Sequence, residues 1–574
     1  MKRQFFTCIL FFSILSTLYT DPRVISTGTI DYAITWDKGV SASLDGGNSW
    51  EPRSEGLAQK TIYPFTETLY QPITSLSYDS SNHLRVAVTT KKGLFLSDNG
   101  GKTWSPIPIS LPLKSTMVFT SCAVSPRDPD KILLGTSFSG FFESRDKGKS
   151  WVRLSNPEHP DYKGAGFFEE IQTISYDDET DDVIYIENGF NSGKFIYKNG
   201  ALSPLNQENQ GESEKQNIDT EYSFQKTAMD KFGIYLNGIS ASGESLTAHL
   251  DFLEEKGLNS LVIDMKDDRG NITYNSELDM PKEIGALKAW FSLEDLLEEA
   301  HKHGIYVIAR IVVFQDPKLY AFQENKYAVW MSSDTGPWGN IFEITDSETG
   351  ETSFDQREFW VDPYCADVWD YNISIAEELE EKGVDEIQFD YIRFPTDGDL
   401  SLIKYRFRKP GMSKTDAIES FLKIAAERIT IPISIDIYGF NGWYRMGNWN
   451  GQDIEIIARY ADVICPMLYP SHFPRNFLKE IPYLERAEIL YKRGTMRAQS
   501  IVEGRALIRP FVQAFLIGNE LAFDEPDYWE YLVKQLNGVV SAGNPGFTLW
   551  NSSNRYYMVI ASLNDFTNRN SGYN

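Results

Sequence analysis

Cysteine and histidine are scarce, four and six among 574 residues. The cysteines stand at 8, 122, 365 and 465, far apart and never as C-x-x-C, which excludes a disulfide framework and a cysteine-built metal centre. Among the histidines, His301 and His303 lie two apart on a predicted helix and so face apart, while His83, His159 and His249 fall away from strand ends. His472, in "LYPSHFP", is the exception that can line a cavity mouth. No metal ligand set and no cofactor is therefore expected. Positive charge is also in deficit: 55 Lys and Arg against 81 Asp and Glu give a net charge of -26, which repels phosphate backbones and anionic lipid. Nucleic acid is not an expected partner. There is no G-x-S-x-G elbow and no phosphate-binding glycine loop, so acyl transfer and nucleotide chemistry lose support.

Long apolar runs are missing except at the start. "MKRQFFTCILFFSILSTLYT" places two basic residues before an apolar stretch from Phe5 to Tyr19, about 15 residues and so short of the roughly 20 that span a membrane. Residues 1–20 read as a signal peptide, cleaved or retained, since "STLYT" lacks an A-x-A site. The expected location is exported: periplasmic, cell-surface or secreted, with no membrane contact beyond that segment.

What the chain does have is aromatics, at 14%, and repeats. "SLDGGNSW" (43–50), "SDNGGKTW" (97–104) and "SRDKGKSW" (144–151) align without gaps as S-x-[DN]-x-G-x-[ST]-W. Their starts are 54 and 47 residues apart, with β-rich sequence before each, a spacing that suits one four-stranded blade per repeat. The eight residues resemble the Asp-box of sialidase-like propellers, a hairpin turn in which the acid binds turn backbone and glycine takes a positive φ. Such turns serve structure. A fourth unit, "IQTISYDDETDDVIYIENGFNSGKFIYKNGALSPL", keeps the strand pattern and loses the box. The expected organisation is thus multidomain, with propeller-like all-β repeats over 21–203, a polar linker over 204–226, and an α/β domain over 227–574.

In the last domain, eight short apolar strands alternate with amphipathic helical stretches: "FGIYLNGI", "SLVIDMKDD", "IYVIARIVV", "DEIQFDYIRF", "IPISIDIYGF", "ADVICPMLYP", "LIRPFVQAF" and "GFTLWNS". Eight β/α units predict a TIM (β/α)8 barrel with its site at the C-terminal strand ends. Because residues i and i+2 share a face of a strand, Gln388 and Asp390 point together into the mouth. The same count brings in Asp264, Lys266 and Asp268 on the second strand, Arg310 on the third, Ser434, Asp436 and Tyr438 on the fifth, Met467 and Tyr469 on the sixth, Gln513 on the seventh and Trp550 on the eighth. Acids and bases from several strand ends are costly in a barrel core that faces no ligand.

Paired acids among aromatic rings suit glycoside hydrolysis. One carboxylate stabilises or attacks the anomeric carbon, and the other, held protonated, supplies a proton to the leaving oxygen. Asp390, expected beside Arg393, fits the ionised role. Asp436, among the apolar neighbours of "ISIDIYG", fits the proton donor. Two alternatives stay open: Asp390 and Arg393 form a structural ion pair closing the barrel top, and Asp264 or Asp268 replaces Asp436 as second acid. Asp264, Lys266, Asp268, Arg310, Arg393, Tyr438, Tyr469, His472, Gln513 and Trp550 are the expected substrate contacts.

"LVIDMKDDRG", "IYVIARIVVFQDP", "WVDPYCADVWDYNISIAEEL", "GVDEIQFDYIRFPTDG" and "ADVICPMLYPSHFP" resemble a glycoside hydrolase barrel family first catalogued as a domain of unknown function, distantly similar to α-amylase and α-galactosidase barrels. The resemblance covers roughly residues 230 to 555 and implies hydrolysis of a polysaccharide or glycoconjugate. Asp390 matches the place of the α-amylase-like nucleophile. The glutamate those enzymes carry after the fifth strand is here Asp436, and Ile392 stands where a chitinase-type strand needs its catalytic glutamate. Two other functions remain: a carbohydrate-binding or envelope-assembly protein without turnover, and a chain whose propeller repeats dock a protein partner.

Overall fold

The structure is a computed structural model that describes residues 23–567, apart from 67, 112–116, 138, 155–169, 178–183, 189–192, 199–200, 205–222, 346–348, 446–448 and 544–545. The signal-peptide reading lies outside the described residues, as does most of the expected linker; of the rest of that linker, Ser223–Ala228 form a helical turn. Two compact units emerge, one drawn mainly from residues up to 213 and one mainly from 214 onward.

The N-terminal unit holds four four-stranded antiparallel sheets, each a simple meander. The S-x-[DN]-x-G-x-[ST]-W stretch joins the third and fourth strand of the first three, for example Gly39–Ser43 to Glu51–Pro52. The sequence dictates the turn. Asp45 Oδ1 accepts from the Ser49 amide at 2.9 Å, and Ser43 Oγ accepts from the Gly47 amide at 2.9 Å. Gly47 sits at φ 88°, where a side chain would be strained. Asp146 repeats the arrangement, and Asn99 does so with a neutral side chain. Hydrogen bonds from Ser49 and Ser150 draw the Asp45 and Asp146 carboxyls down to about 2. Trp104 is buried in a core shared by the first two sheets, whereas Trp50 is exposed.

The C-terminal unit is a closed barrel of parallel strands: β1 (Lys231–Leu236), β2 (Ser260–Lys266), β3 (Tyr306–Val312), β4 (Glu386–Asp390), β5 (Ile433–Tyr438), β6 (Val463–Met467), β7 (Phe511–Gln513) and β8 (Gly546–Trp550). β1 pairs with both β2 and β8, which closes the ring. The strands are buried along almost their whole length, as a sheet covered by helices requires. Around them run α1 (Gly243–Lys256), α2 (Leu293–Lys302), α3 (Ala366–Lys382), α4 (Lys414–Arg428), α5 (Tyr483–Val502) and α6 (Glu525–Ser541). Gly257 and Gly383 end α1 and α3 in left-handed backbone, and Ser413 with Asp416 forms a capping box at the start of α4. The stretch "QDIEIIARYA" forms only one helical turn, Ile454–Ile457. Before β7, Pro510 separates a two-residue strand, Leu507–Ile508, from the main one, because proline has no amide to continue a ladder.

Candidate active site

Period-2 alternation places side chains inside the barrel in tiers. On β4, Glu386, Gln388 and Asp390 all face inward. Glu386 meets Arg509 from the segment before β7, and Gln388 Nε2 reaches Cys465 Sγ of β6 at 3.5 Å. The tier above, at the C-terminal strand ends, is charged. Arg310 of β3 is its centre and is 4% exposed. Its Nη2 donates to Asp390 Oδ2 at 2.5 Å and its Nε to the same oxygen at 3.1 Å, while Nη1 donates to Asp264 Oδ1. Asp436 Oδ2 lies 3.8 Å from Arg310 Nε. The Asp390 and Asp436 oxygens that adjoin Nε, 3.1 and 3.8 Å from it, therefore stand at most about 7 Å apart.

Three carboxylates around one guanidinium cannot all be ionised cheaply. Hydrogen bonding shows which holds the proton. Asp264 Oδ2 accepts from the Tyr235 hydroxyl at 2.5 Å, and Asp390 Oδ1 accepts from the Tyr391 amide at 2.6 Å. Asp436 is 1% exposed, and neither of its oxygens has a hydrogen-bond donor among the described residues. Burial, reinforced by the Asp390 charge, pushes the Asp436 carboxyl well above the usual range. Burial also raises Asp264, to about 6, against the pull of Arg310. Arg310 stays cationic: burial works against its charge, and Asp264 and Asp390 outweigh it. Tyr391 carries a φ of +54°, a strained backbone for a residue with a side chain, directly after Asp390.

Aromatic side chains surround this cluster. Trp550, half-buried, stacks on Tyr235 at 3.9 Å between centroids, with the Arg310 guanidinium 5.1 Å from its ring. Tyr469 is buried with its edge toward Phe515, and burial raises its phenol. His472 is exposed at the rim, 2.9 Å from Ser471 Oγ through Nδ1. Asp268 is exposed beyond the end of β2.

Three expected placements are corrected. Lys266 does not share a face with Asp264: a bulge in β2 between them, opposite Arg310 and Ile311 of β3, turns it outward. Its ammonium, fully buried, binds Asp316 Oδ2 at 2.7 Å, the Val312 carbonyl at 2.7 Å and Asn372 Oδ1 of α3 at 2.9 Å. Arg393 is not the cation beside Asp390. That place belongs to Arg310, and Arg393 lies over the rings of Trp360, Tyr391 and Tyr438 at 4.7, 4.9 and 4.7 Å. Gln513 is consumed internally: its amide nitrogen donates to Glu520 and the Phe515 carbonyl, and its oxygen accepts from Ser471. Tyr235, Tyr391 and Trp360 were not anticipated. The count applied to the other strands would have found Tyr235 at the end of β1, whereas Trp360 lies in a long connection with no periodic signal.

Among the described residues, no group of three or more His, Cys, Asp or Glu is placed to hold a metal ion, and no helix is long and apolar enough to cross a membrane. Residues 233–556 match the family described as "Putative glycosyl hydrolase domain". The chain belongs to this family. Among solved structures, a hypothetical protein from Ruminiclostridium thermocellum is 34% identical over 36% of this chain and 97% of its own, with a TM-score of 0.30. The trehalose-6-phosphate hydrolase TreA of Bacillus licheniformis is 16% identical over 50% of this chain and 57% of its own, TM-score 0.32. The GH74 xyloglucanase of Xanthomonas campestris is 17% identical over 32% of this chain and 29% of its own, TM-score 0.24. The chain thus spans little more than half of the first of these enzymes and under a third of the second. No curated protein matches it.

Proposed function

We propose that this member of the glycosyl hydrolase domain family is an exported glycosidase that cleaves a polysaccharide or glycoconjugate with two carboxyl groups. The observation that carries the reading is the contrast between Asp390 and Asp436. Both adjoin Arg310, yet Asp390 has three hydrogen bonds that favour its anion and Asp436 has none. Asp436 then gives its proton to the glycosidic oxygen as the bond to the anomeric carbon breaks and the bonding electrons pass to that oxygen. Asp390 stabilises or attacks the electron-poor carbon, and a water then bonds that carbon through its oxygen, releasing any bond to Asp390 and returning a proton to Asp436. Trp550, backed by Tyr235, offers an aromatic face for a sugar ring. The test is release of reducing sugar from envelope and storage polysaccharides by the purified protein, with Asp390→Asn and Asp436→Asn as controls. A fall of about 10²- to 10⁴-fold is expected in each; equal release by wild type and both variants overturns the assignment.

The burial of Asp436 favours a second reading, glycan binding without turnover. It is supported if both variants bind a captured glycan as wild type does and none of the three proteins releases sugar.

A further inference from the structure

Arg393 is the charged group of the barrel mouth that this chemistry leaves unused. It stands three residues after Asp390 and is 8% exposed. A cation so buried ordinarily has a carboxylate partner, because taking the charge from water is costly. Arg393 has none within ion-pair distance among the described residues. Its Nη1 makes two long contacts, 3.3 Å to the Phe394 carbonyl and 3.4 Å to Thr396 Oγ1. Nε and Nη2 donate to none of the described residues. The nearby carboxylate of Asp397 is engaged by Thr396 Oγ1 at 2.9 Å and reaches Arg393 only through that hydroxyl.

The rings that hold the guanidinium tie it to the proposed catalytic pair. Tyr391 gives its amide to Asp390, and Tyr438 lies two residues beyond Asp436 at the end of β5. Tyr438 is half-buried and continues toward Trp449, 5.4 Å away between centroids. Trp360 closes the other side, 6.0 Å from Tyr391. Aromatic faces retain a guanidinium without neutralising it, so the fork keeps both its charge and its orientation. A planar fork with two donors that engage none of the described residues, fixed beside a site for sugars, matches an oxyanion that accepts two parallel hydrogen bonds.

We infer that Arg393 forms an anion-recognising subsite, so that the substrate is a glycan carrying a carboxylate, sulfate or phosphate group on a sugar next to the scissile bond. The inference rests on the glycosidase reading for the bond that is cut, and on Arg393 alone for the charge that is recognised.

The experiment separates the two. The full-length Asp436→Asn protein, in which turnover is removed, is titrated with glucuronate, glucose 6-sulfate and glucose 6-phosphate, each against glucose, and binding is followed by tryptophan fluorescence and calorimetry. At least one charged sugar is expected to bind about tenfold or more tighter than glucose, with an advantage that shrinks as salt rises; which one it is identifies the substituent. Adding Arg393→Met, which keeps an apolar stem among the rings, is expected to abolish the advantage and leave glucose binding unchanged. Adding Arg393→Lys should restore only part of it, since an ammonium cannot present the fork. Equal binding of glucose and all three charged sugars, or an unchanged preference in Arg393→Met, overturns the inference and leaves the glycosidase reading standing. Sugar release unaffected by Asp390→Asn and Asp436→Asn, with charge preference intact, has the opposite meaning.

Discussion

Asp436 is buried, bare of donors and next to another acid, and each of these properties favours its neutral form. The consequence for stability has a definite sign. The unfolded chain releases this proton near 3.8, whereas the folded chain retains it to a much higher pH. Between those limits the folded state binds the extra proton, so this contribution to stability is complete below 3.8 and is lost as pH rises through the window. Asp264, raised to about 6, acts in the same direction over a narrower range. Asp436→Asn keeps the shape and removes the titration. The difference in Tm, variant minus wild type, is expected to grow in the variant's favour from pH 5 to pH 8, measured by calorimetry in matched buffers. A difference that is constant, or that grows the other way, would identify Asp436 as an ionised, paired carboxylate and remove it as proton donor.

One bulged residue in β2 decides what its two basic-acidic neighbours do. Asp264 faces Arg310, and Lys266 faces outward to Asp316 and α3. Lys266→Met leaves the fully buried Asp316 carboxylate without its cation, a loss of about 3–5 kcal/mol by the usual cost of breaking a buried pair. Urea denaturation should show that loss, while activity per folded molecule stays at the wild-type level; a normal midpoint with lost activity would return Lys266 to the substrate. The bulge also marks how far the sequence could be read. Hydrophobic alternation and the repeated tryptophan turns made the four sheets and the eight strands legible, because burial on one or both faces leaves a periodic trace. Strand parity likewise brought Asp264, Arg310, Asp390 and Asp436 into one tier. It failed at Lys266, since an inserted residue reverses every face beyond it and leaves no mark in composition. Nor could it choose between Arg310 and Arg393 as the partner of Asp390: that depends on which guanidinium the closed barrel brings near, and Arg393 lies instead over Trp360, from the connection between β3 and β4.

At the scale of the whole molecule, the barrel's sheet and its buried ion pairs are supplied by residues after 213, although its compact unit also takes in Ile62–Pro64. Its sheet closes on itself through β1, so no barrel strand presents an unpaired edge. The charged tier is assembled entirely from β1 to β5, and the barrel's buried ion pairs, Arg310 with Asp264 and Asp390, Lys266 with Asp316, and Arg509 with Glu386, all lie between residues of the C-terminal unit. A fragment from Glu214 to Asn574 is therefore expected to be soluble, to melt in one cooperative transition, and to keep its activity on a soluble oligosaccharide within about twofold of the full chain. On an insoluble polysaccharide the comparison carries a different meaning. There the full chain should outperform the fragment if the repeats hold the enzyme against its substrate, since tethering raises effective concentration without touching the chemistry. A fragment that aggregates or melts without cooperativity would show that the repeats complete the barrel's core. Equal rates on both substrates would leave the repeats free for another partner, such as a protein.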